Sequence, residues 1–475
     1  MLEIYSTLSR KKELLTEQSI KFFVCGPTVY DYAHIGHART YIFFDFFAKY
    51  LRSLGHKVNY LQNITDVDDK IIKRAAEENI KPEELAKFYT KAYLEDMKAL
   101  GVDAVSEYAP ATKFIPQIIV QVERLIDKRC AYKIAGDGWY FDISTFPDYG
   151  KLSGRTATQA EDAVSRIDEA VGKKNKGDFC LWKFSLPAQA GKPGEPVWKN
   201  KTLGDGRPGW HIEDTAITEH FFGPQYDIHG GGVDLKFPHH EAEIAQQESA
   251  SGKKPFVKIW MHTGTLLVDG KKMSKSSGNF ITIRDFLKKY PPEVLRLMVF
   301  SHHYRSPVDY SEQAAADTLK TWMGIIKFLG RLDFAIEKKQ GEKIKTQFPK
   351  EHTFAWPGMA KSALEDDLNT QSLLSVLSSS MSSTDNHMWA MHYEALRETR
   401  NFIMEHLSAM GLVPKIHDEI PEKIKKLAGE REEFRANQQF VQSDGLRKKI
   451  NDLGYEIEDT PRGPFLWPSR RISND

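Results

Sequence analysis

Residues Cys25–His37 read CGPTVYDYAHIGH, and this stretch decides how the rest of the chain folds. The preceding Lys21–Val24 predicts a short buried strand, and Ala38–Leu54 repeats apolar residues at helical spacing. A strand that turns sharply into a helix points the free N–H groups of the helix, and the positive end of its dipole, at whatever binds there. The stretch therefore predicts an anion site, with phosphate as the first ligand to expect.

The alternation of strand and helix continues on both sides of a long interruption. Lys57–Ile64 predicts a second strand, which ends in an acidic turn before another helix. Residues 131–200 change character, and the alternation resumes at Gly209. There the sequence predicts three more strands and one helix, at 225–229, 257–262, 265–268 and, for the helix, 238–251. We therefore expect an α/β fold with a parallel sheet that is split by an insertion.

Composition limits the classes of protein to which the chain can belong. It has 475 residues, 41% hydrophobic and 28% charged, which is typical of soluble globular proteins with several domains. The net charge of +1 gives no overall attraction for nucleic acid or membrane. Three cysteines indicate a reducing compartment without a disulfide framework. No apolar leader is visible, and charges interrupt the most apolar run, so we expect a cytoplasmic protein without a membrane span.

Two imidazoles, those of His34 and His37, flank Gly36 at the predicted strand–helix turn. Imidazoles can donate hydrogen bonds to phosphate oxygens, and a glycine lets a nucleotide approach the backbone where a Cβ would obstruct it. The other interpretation is a helix N-terminus with incidental histidines, and the turn alone leaves both open.

A second basic motif lies in the resumed α/β part, where Lys272–Ser276 reads KMSKS and is bounded by glycines. Lys272, Lys275 and two hydroxyls, including that of Ser274, could form a mobile clamp for an anion. A solvated basic surface loop is the alternative for any isolated lysine cluster.

The chain also contains residues that could bind a metal ion. Cys25 ends the first predicted strand, and His239 and Glu243 are four residues apart, which places them on one face of a helix. Asp214, in the stretch Gly209–Asp214, is a further candidate. A polar helix start with a glutamate in its first turn would explain His239 and Glu243 without any metal.

The two basic motifs together resemble a known family more strongly than either does alone. HIGH at His34–His37 followed by KMSKS more than 200 residues later resembles the class I aminoacyl-tRNA synthetases. The words CGPTVYD, NITDVDDKII, GRPGWHIE, DIHGGG and FPHHE resemble the cysteinyl-tRNA synthetase family in particular. The likeness covers essentially the whole chain, including EDTPRG near its end.

The resemblance implies one zinc ion in an amino-acid pocket. In that family its ligands are two cysteines, a histidine and a glutamate, and Cys25, His239 and Glu243 match three of them. Where the family commonly has the second cysteine, this chain has Asp214. Aspartate is an accepted zinc ligand, so we predict that Asp214 replaces the cysteine. The alternative is that Asp214 supports the site only by hydrogen bonding.

The resemblance also implies the reaction and the residues that carry it. The chain would join L-cysteine to ATP as cysteinyl-adenylate and transfer the cysteinyl group to the 3′ end of tRNA(Cys). Magnesium would accompany ATP. The implied ATP-binding residues are His34, Gly36, His37, Lys272, Ser274 and Lys275, of which the two histidines and two lysines are the catalytic candidates. The candidates to wall the cysteine pocket are Thr65, Trp210 and His229.

The implied organisation is a Rossmann-like catalytic domain in two halves, 1–110 and 209–310, split by a connective insertion at 111–208. A helical bundle at 311–416 and a small C-terminal anticodon-binding domain at 417–475 follow. The expected partners are tRNA(Cys), ATP and L-cysteine, without a membrane, and the chain is expected to be a monomer.

Two rival functions fit parts of the same pattern. A cysteine ligase that delivers cysteine to an amino sugar would resemble the catalytic half, but it would lack a full tRNA-binding tail. A non-catalytic paralogue that binds RNA or metal would usually have lost HIGH or KMSKS residues, and both motifs are intact here.

Overall fold

The structure is a computed structural model that describes residues 2–155, 171–185, 194–274, 278–340, 351–416 and 419–469. The chain forms two compact units. The first comprises Met1–Phe286, Tyr304–Asp309 and Asp366–Leu368, and the second comprises Leu287–His303, Tyr310–Glu365 and Asn369–Asp475.

The strands, in chain order, are β1 (Glu3–Ser6), β2 (Lys11–Leu14), β3 (Ser19–Val24), β4 (Lys57–Ile64), β5 (Glu107–Pro110), β6 (Ala131–Ile134), β7 (Gly138–Phe141), β8 (Phe179–Phe184), β9 (Gly206–Pro208), β10 (Tyr226–Gly232), β11 (Val257–Thr263), β12 (Leu266–Val268), β13 (Lys271–Lys272), β14 (Val308–Tyr310), β15 (Tyr455–Thr460) and β16 (Gly463–Pro468).

The α-helices are α1 (Ile35–Ser53), α2 (Asp69–Glu78), α3 (Pro82–Ala99), α4 (Ile115–Asp127), α5 (Ile212–Phe222), α6 (Glu241–Ser251), α7 (Ile283–Leu287), α8 (Pro292–Phe300), α9 (Glu312–Lys339), α10 (Glu351–Glu365), α11 (Thr370–His387), α12 (Tyr393–Ala409), α13 (Glu422–Ala436) and α14 (Phe440–Asp452).

A five-stranded sheet lies at the centre of the first unit, in the order β11-β10-β3-β4-β5. All four pairings are parallel, as the sequence predicts. The chain leaves β3 toward β4 and β5, and later returns on the opposite side with β10 and β11. The carboxyl ends of β3 and β10 therefore border a topological switch point, which is where ligands bind in open α/β sheets. The fold is α/β and Rossmann-like, and Cys25–His37 leaves β3 at that point.

The aromatic residues of β3 and α1 form the core beneath this point. The Phe22 ring packs edge-on against Phe44 and Phe47 and stacks on Tyr60. All four side chains are fully buried. Burial of such large rings contributes most of the packing between α1 and the sheet. The position of the α1 N-terminus relative to the strand ends is thereby fixed.

Several predicted elements differ from the observed ones at their ends. Strand β4 has the predicted bounds, but α1 begins at Ile35 because His34 caps it. Strand β10 continues through three glycines to Gly232 instead of ending before them. At Gly230 a Cβ would lie 2.4 Å from the Phe44 ring, so glycine lets the strand pass over α1. Helix α6 begins at Glu241, after a wide helical turn that contains Pro238.

The first unit also contains a four-stranded antiparallel sheet, in the order β6-β7-β8-β9. Its core includes the buried Tyr140, Leu181 and Trp182. Residues 156–170 and 186–193 of the predicted insertion lie outside the described residues.

The second unit is helical, apart from the hairpin β15–β16. A buried Lys339 at the end of α9 donates hydrogen bonds of 2.7 Å to the carbonyl oxygens of Trp389 and Met391. A Cβ at Gly330 of α9 would lie 2.5 Å from the Trp467 ring, so this glycine allows the hairpin to pack on the helix. None of the helices in the described ranges combines the length and apolar character that crossing a bilayer requires.

Candidate functional site

A cleft of about 350 Å³ opens at the carboxyl ends of β3 and β10. Its lining includes Cys25, His34 and His37 from the opening stretch, together with Asp214 and Lys272. The residues that the sequence predicts for an anion site, a metal site and a lysine loop therefore meet in one cavity. Residues far apart in the chain are brought together because both halves of the α/β pattern contribute strands to one sheet.

The two imidazoles of the HIGH motif are built into the start of α1. His34 is the N-cap residue, and its Nδ1 accepts hydrogen bonds from the backbone N–H groups of Gly36 and His37 at 3.1 and 3.3 Å. His37 Nδ1 in turn accepts from the His34 backbone N–H at 3.3 Å. The rings stack with centroids 3.8 Å apart. A Cβ at Gly36 would lie 2.8 Å from the His34 ring, so any side chain here would displace the capping imidazole.

The capping bonds determine what each imidazole can offer a ligand. Burial lowers the pKa of His34 to about 2 and that of His37 to about 4, so both rings are neutral at pH 7. Because each Nδ1 is an acceptor, each ring carries its proton on Nε2. Two neutral Nε2–H groups at a helix N-terminus are therefore available as donors to an anion.

The start of the KMSKS loop lies beside this helix. The Met273 Sδ accepts from the Ile281 backbone N–H at 3.4 Å, and Ile281 accepts from the Ile35 N–H at 3.1 Å. Asn279 braces the loop, since its Oδ1 accepts from the Ser274 N–H at 2.9 Å. Lys272 lines the cleft, whereas Lys275 lies outside the described residues.

The four predicted metal ligands form one buried cluster. One donor atom from each of Cys25, Asp214, His239 and Glu243 lies within 4.8 Å of all the others. His239 Nε2 is 3.0 Å from Asp214 Oδ2 and 2.9 Å from Glu243 Oε1. His239 precedes α6 rather than lying within it, yet it still faces Glu243. A thiol, an imidazole and two carboxylates are donors that Zn²⁺ accepts.

The charges of this cluster fit a cation. Burial, together with Glu243 and Asp214, raises the pKa of the Cys25 thiol. Burial also raises the pKa of Glu243 to about 8, while its carboxylate and that of Asp214 overcome burial and raise the pKa of His239 to about 10. In the part of the chain that is described, Glu243 Oε2 is buried and accepts no hydrogen bond. A divalent cation would replace these protons and compensate the buried negative charge.

A second group of donors shares Cys25 and Glu243 with the first, and it adds His229 and His240. The Nε2 atoms of His229 and His240 lie 3.2 and 3.1 Å from Cys25 Sγ. His240 Nδ1 is 2.8 Å from His262 Nε2, and His262 Nδ1 is 2.8 Å from Thr7 Oγ1.

When Cys25 is a thiolate, the donor and the acceptor in each of these hydrogen bonds can be assigned. Burial lowers the pKa of His229, His240 and His262, so all three rings are neutral. His229 and His240 then donate their Nε2–H groups to the sulfur, and His262 donates to His240. Tyr226 completes the other branch, because its hydroxyl is 2.6 Å from His229 Nδ1. The two histidines are therefore better suited to hold the thiolate than to bind a metal themselves.

Of the three residues predicted to wall the cysteine pocket, two line the cleft and one does not. Trp210 and Thr65 line the cleft, and the Trp210 ring stacks on His239 with centroids 4.4 Å apart. Thr65 Oγ1 donates to Glu213 at 2.7 Å. His229 lies beneath Cys25, 1% exposed, and is absent from the cleft lining given by the described residues.

Sequence reasoning missed three side chains at this site. His240 contacts the Cys25 sulfur, Asn63 donates to the Asp214 carboxylate, and Lys70 reaches into the cleft. The stretch HHE shows His240 beside His239, but only the turn before α6 decides which of them faces Cys25. Asn63 lies near the end of β4 and Lys70 in the first turn of α2, and both fall within the word NITDVDDKII, but the sequence predicted no role for either of them.

Comparison with known proteins agrees with this geometry. A family model described as tRNA synthetases class I (C) catalytic domain matches residues 11–320. Methionyl-tRNA synthetase of Mycobacterium tuberculosis with methionyl-adenylate superimposes with a TM-score of 0.59 at 14% identity, over 84% of this chain and 90% of that one. A leucyl-tRNA synthetase complex of Agrobacterium radiobacter K84 gives 0.62 at 10% identity, over 83% and 84%. Fold and match together define a class I tRNA synthetase.

Curated relatives identify the family within this class to which the chain belongs. A cysteine–tRNA ligase of Methanococcus maripaludis strain C7 is 39% identical over 97% of this chain and 98% of its own. That of Thermococcus gammatolerans is 40% identical over 99% and 100%. That of Thermoplasma acidophilum is 51% identical over 67% and 69%. The chain belongs to the cysteine–tRNA ligase family of aminoacyl-tRNA ligases.

Proposed function

We propose that the chain activates L-cysteine with ATP to cysteinyl-adenylate and transfers the cysteinyl group to the 3′ end of tRNA(Cys). The observation that carries this proposal is the shared cleft, in which Cys25 lies at one end of the opening stretch and His34 and His37 at the other. An amino acid held at Cys25 would have its carboxylate directed toward a phosphate held at α1. Activation then requires positioning and charge stabilisation, and no covalent bond to the enzyme.

The ATP phosphates would lie at the start of α1. His34 and His37 would donate their neutral Nε2–H groups, and Gly36 would allow close approach to the backbone. Lys272 and Ser274 would contact ATP from the loop, as would Lys275 by the sequence argument. Magnesium would accompany the nucleotide and neutralise phosphate charge.

Zinc would be held by Cys25, Asp214, His239 and Glu243. When bound, zinc supplies a site that prefers a soft thiolate to the hydroxyl of serine. The protein would contribute the thiolate of Cys25, held by His229 and His240, and Trp210 packed on His239. Such a site explains selection between two amino acids that differ by one atom, which a hydrophobic pocket achieves only about 100-fold. Thr65 and Trp210 would wall the bound cysteine, and His229 would act from beneath Cys25.

The predicted division of the chain supports this reaction with tRNA as the acceptor. We propose the two catalytic halves at 1–110 and 209–310, the insertion at 111–208, the bundle at 311–416 and an anticodon-binding tail at 417–475. The helices α13 and α14 and the hairpin β15–β16 fall within that tail.

The direct test is cysteine-dependent exchange of pyrophosphate into ATP, followed by charging of tRNA(Cys) transcripts. We expect both activities. Exchange without charging would instead indicate a cysteine ligase for an amino-sugar acceptor, and a chain that binds RNA or zinc without exchange would be a non-catalytic paralogue.

The role of Asp214 can be tested separately from activity. Loss of a residue that only supports a metal ligand typically weakens binding 10- to 100-fold. If Asp214 is itself a ligand, Asp214→Ala should weaken zinc binding more than about 100-fold, measured by competition with a chromophoric chelator. Asp214→Cys should retain the metal and, in the cobalt-substituted protein, should roughly double the thiolate charge-transfer absorbance. A loss of about 10- to 100-fold in Asp214→Ala would indicate that Asp214 only supports the site, and unchanged affinity would show that it has neither role.

A further inference from the structure

The cleft contains a lysine that neither the HIGH motif nor the KMSKS motif accounts for. Lys70 belongs to the first turn of α2, which follows β4 at the carboxyl edge of the central sheet. Its side chain lines the same cleft as Cys25 and His37. Asp68 caps the helix by accepting from the Lys70 backbone N–H at 2.8 Å, so the backbone that carries this side chain is fixed.

Aromatic rings hold the Lys70 ammonium over the cleft. Lys70 Nζ lies 5.7 Å from the centroid of Tyr30 and 5.9 Å from that of Trp210, both of which line the cleft. Ring faces attract a cation but accept no conventional hydrogen bond, so the three N–H donors remain available to a ligand.

The Lys70 charge acts on Asp68 of the same helix start, since it opposes the burial that raises the pKa of that carboxyl. Of the carboxylates that line the cleft, Asp214 and Asp234 form no ion pair with Lys70 Nζ in the part of the chain described. Asp214 is already engaged by Asn63 and by His239. An ammonium that faces a substrate cleft and forms no ion pair with these two carboxylates is suited to an anionic ligand.

The position of Lys70 between the two ends of the cleft decides which anion it meets. Trp210, over which the ammonium lies, stacks on His239 of the candidate metal cluster. At the other end, burial and then the positive charge of Lys70 lower the pKa of His37. The ammonium is therefore close to both the amino-acid end and the phosphate end, where the carboxylate and the α-phosphate must approach each other.

From this juxtaposition we infer that Lys70 is a further catalytic residue, whose ammonium binds an anionic oxygen of the reacting centre. That oxygen belongs to the carboxylate of the bound cysteine or to the α-phosphate of ATP. In the reaction a carboxylate oxygen bonds to the α-phosphorus as the bond to pyrophosphate breaks, and Lys70 keeps its proton throughout. The cation reduces the repulsion between two anions that must come into contact. The inference rests on the proposed adenylate-forming reaction.

Direct binding measurements test this role without requiring turnover. Calorimetry would compare wild type and Lys70→Met with two matched ligand pairs, L-cysteine with cysteinol and AMP with adenosine. The second member of each pair lacks only the anionic group. We expect Lys70→Met to weaken the binding of at least one anionic ligand about 10-fold or more and to leave its neutral counterpart unchanged.

The affected pair identifies the oxygen. A loss confined to L-cysteine indicates the carboxylate, and a loss confined to AMP indicates the α-phosphate. Lys73→Met is the matched control, because Lys73 is an exposed lysine of the same helix outside the cleft lining, and it should bind all four ligands as wild type does.

Two results would overturn the inference. Wild-type affinity of Lys70→Met for both anions would show that the ammonium does not contact them, and equal losses for anionic and neutral ligands would show that Lys70 only shapes the pocket. A wild-type protein that binds cysteine and AMP but catalyses no pyrophosphate exchange would refute the proposed function instead.

Discussion

A single buried guanidinium, that of Arg39, connects the α1 helix to the wall of the cleft. Arg39 is 2% exposed and donates to the carbonyl oxygens of Gly264, Tyr304 and Ser306. Burial lowers its pKa to about 10, so it remains charged at neutral pH. The carbonyl groups compensate the cost of burying this charge. Only glycine fits at position 264, because a Cβ there would lie 2.4 Å from the Ser306 carbonyl oxygen.

Removing this guanidinium should be costly. Arg39→Met leaves three carbonyl oxygens with a lost donor, and we expect it to lower the free energy of unfolding by about 3 kcal/mol. Urea titration measures the free energy of unfolding of the whole unit, and hydrogen exchange measures it at the amides of β11. Arg52→Met, an exposed arginine of the same helix, should change stability by less than about 0.5 kcal/mol. Equal effects of the two substitutions would contradict a special role for Arg39.

At the scale of elements, the sequence predicted four of the five strands of the central sheet, because they are short apolar runs beside helical patterns. It did not predict β5, and the strand predicted at 265–268 is β12, which belongs to another sheet. The pattern that predicts β4 also gives its ends, since polar residues flank it on both sides. The predicted start of α6 was wrong because a proline is compatible both with a helix N-terminus and with the wide turn that precedes this helix. The pattern HHE could not show that His240 faces Cys25, since that depends on the path of the turn and not on residue spacing.

One carboxylate, that of Asp459, connects the hairpin of the second unit to α13 and α14. Asp459 of β15 accepts from Arg431 at 2.6 Å and from Arg447 at 2.8 Å, and Arg435 forms a third ion pair with it. Arg431 is almost fully buried. Hydrogen bonds and charge from Arg431 and Arg435 lower the pKa of Asp459 to about 2. The group therefore stabilises the hairpin wherever it is ionised.

The lowered pKa of Asp459 predicts how the effect of a substitution at this position changes with pH. Asp459→Asn should destabilise β15–β16 by about 1 kcal/mol at pH 7, a modest value because the carboxylate is 35% exposed, and should speed amide exchange there about 5-fold. Because the folded pKa lies below the usual value near 4, the difference from wild type is complete above about pH 4 and shrinks as the pH falls toward 2. Asp452→Asn, at an exposed site in α14, should have no such effect. A difference that persists unchanged at pH 2.5 would refute this assignment.

At the scale of the whole molecule, the candidate zinc ligands all belong to the first unit. Zinc at about 100 times its dissociation constant should stabilise that unit by about 2.7 kcal/mol. Hydrogen exchange with and without a chelator should show slower exchange in α5 and α6 when zinc is bound, with α13 and α14 unchanged.

Cys25→Ser provides the control for this measurement, because it removes the soft ligand and should abolish the effect of zinc on α5 and α6. Slower exchange throughout both units, or in neither, would contradict a single zinc site at Cys25.

Strands β3 and β10 are neighbours in the sheet but far apart in the sequence, and this separation has a consequence for the nascent chain. Cys25 leaves the ribosome almost 200 residues before Asp214, and His239 and Glu243 emerge later still. At roughly 5–20 residues per second, the thiol waits on the order of 10–40 seconds for its partners. During that interval it is an isolated cysteine, open to oxidants and to adventitious metals. The proposed zinc site is therefore complete only late in translation, and the rate of synthesis sets how long the Cys25 thiol remains without its partners.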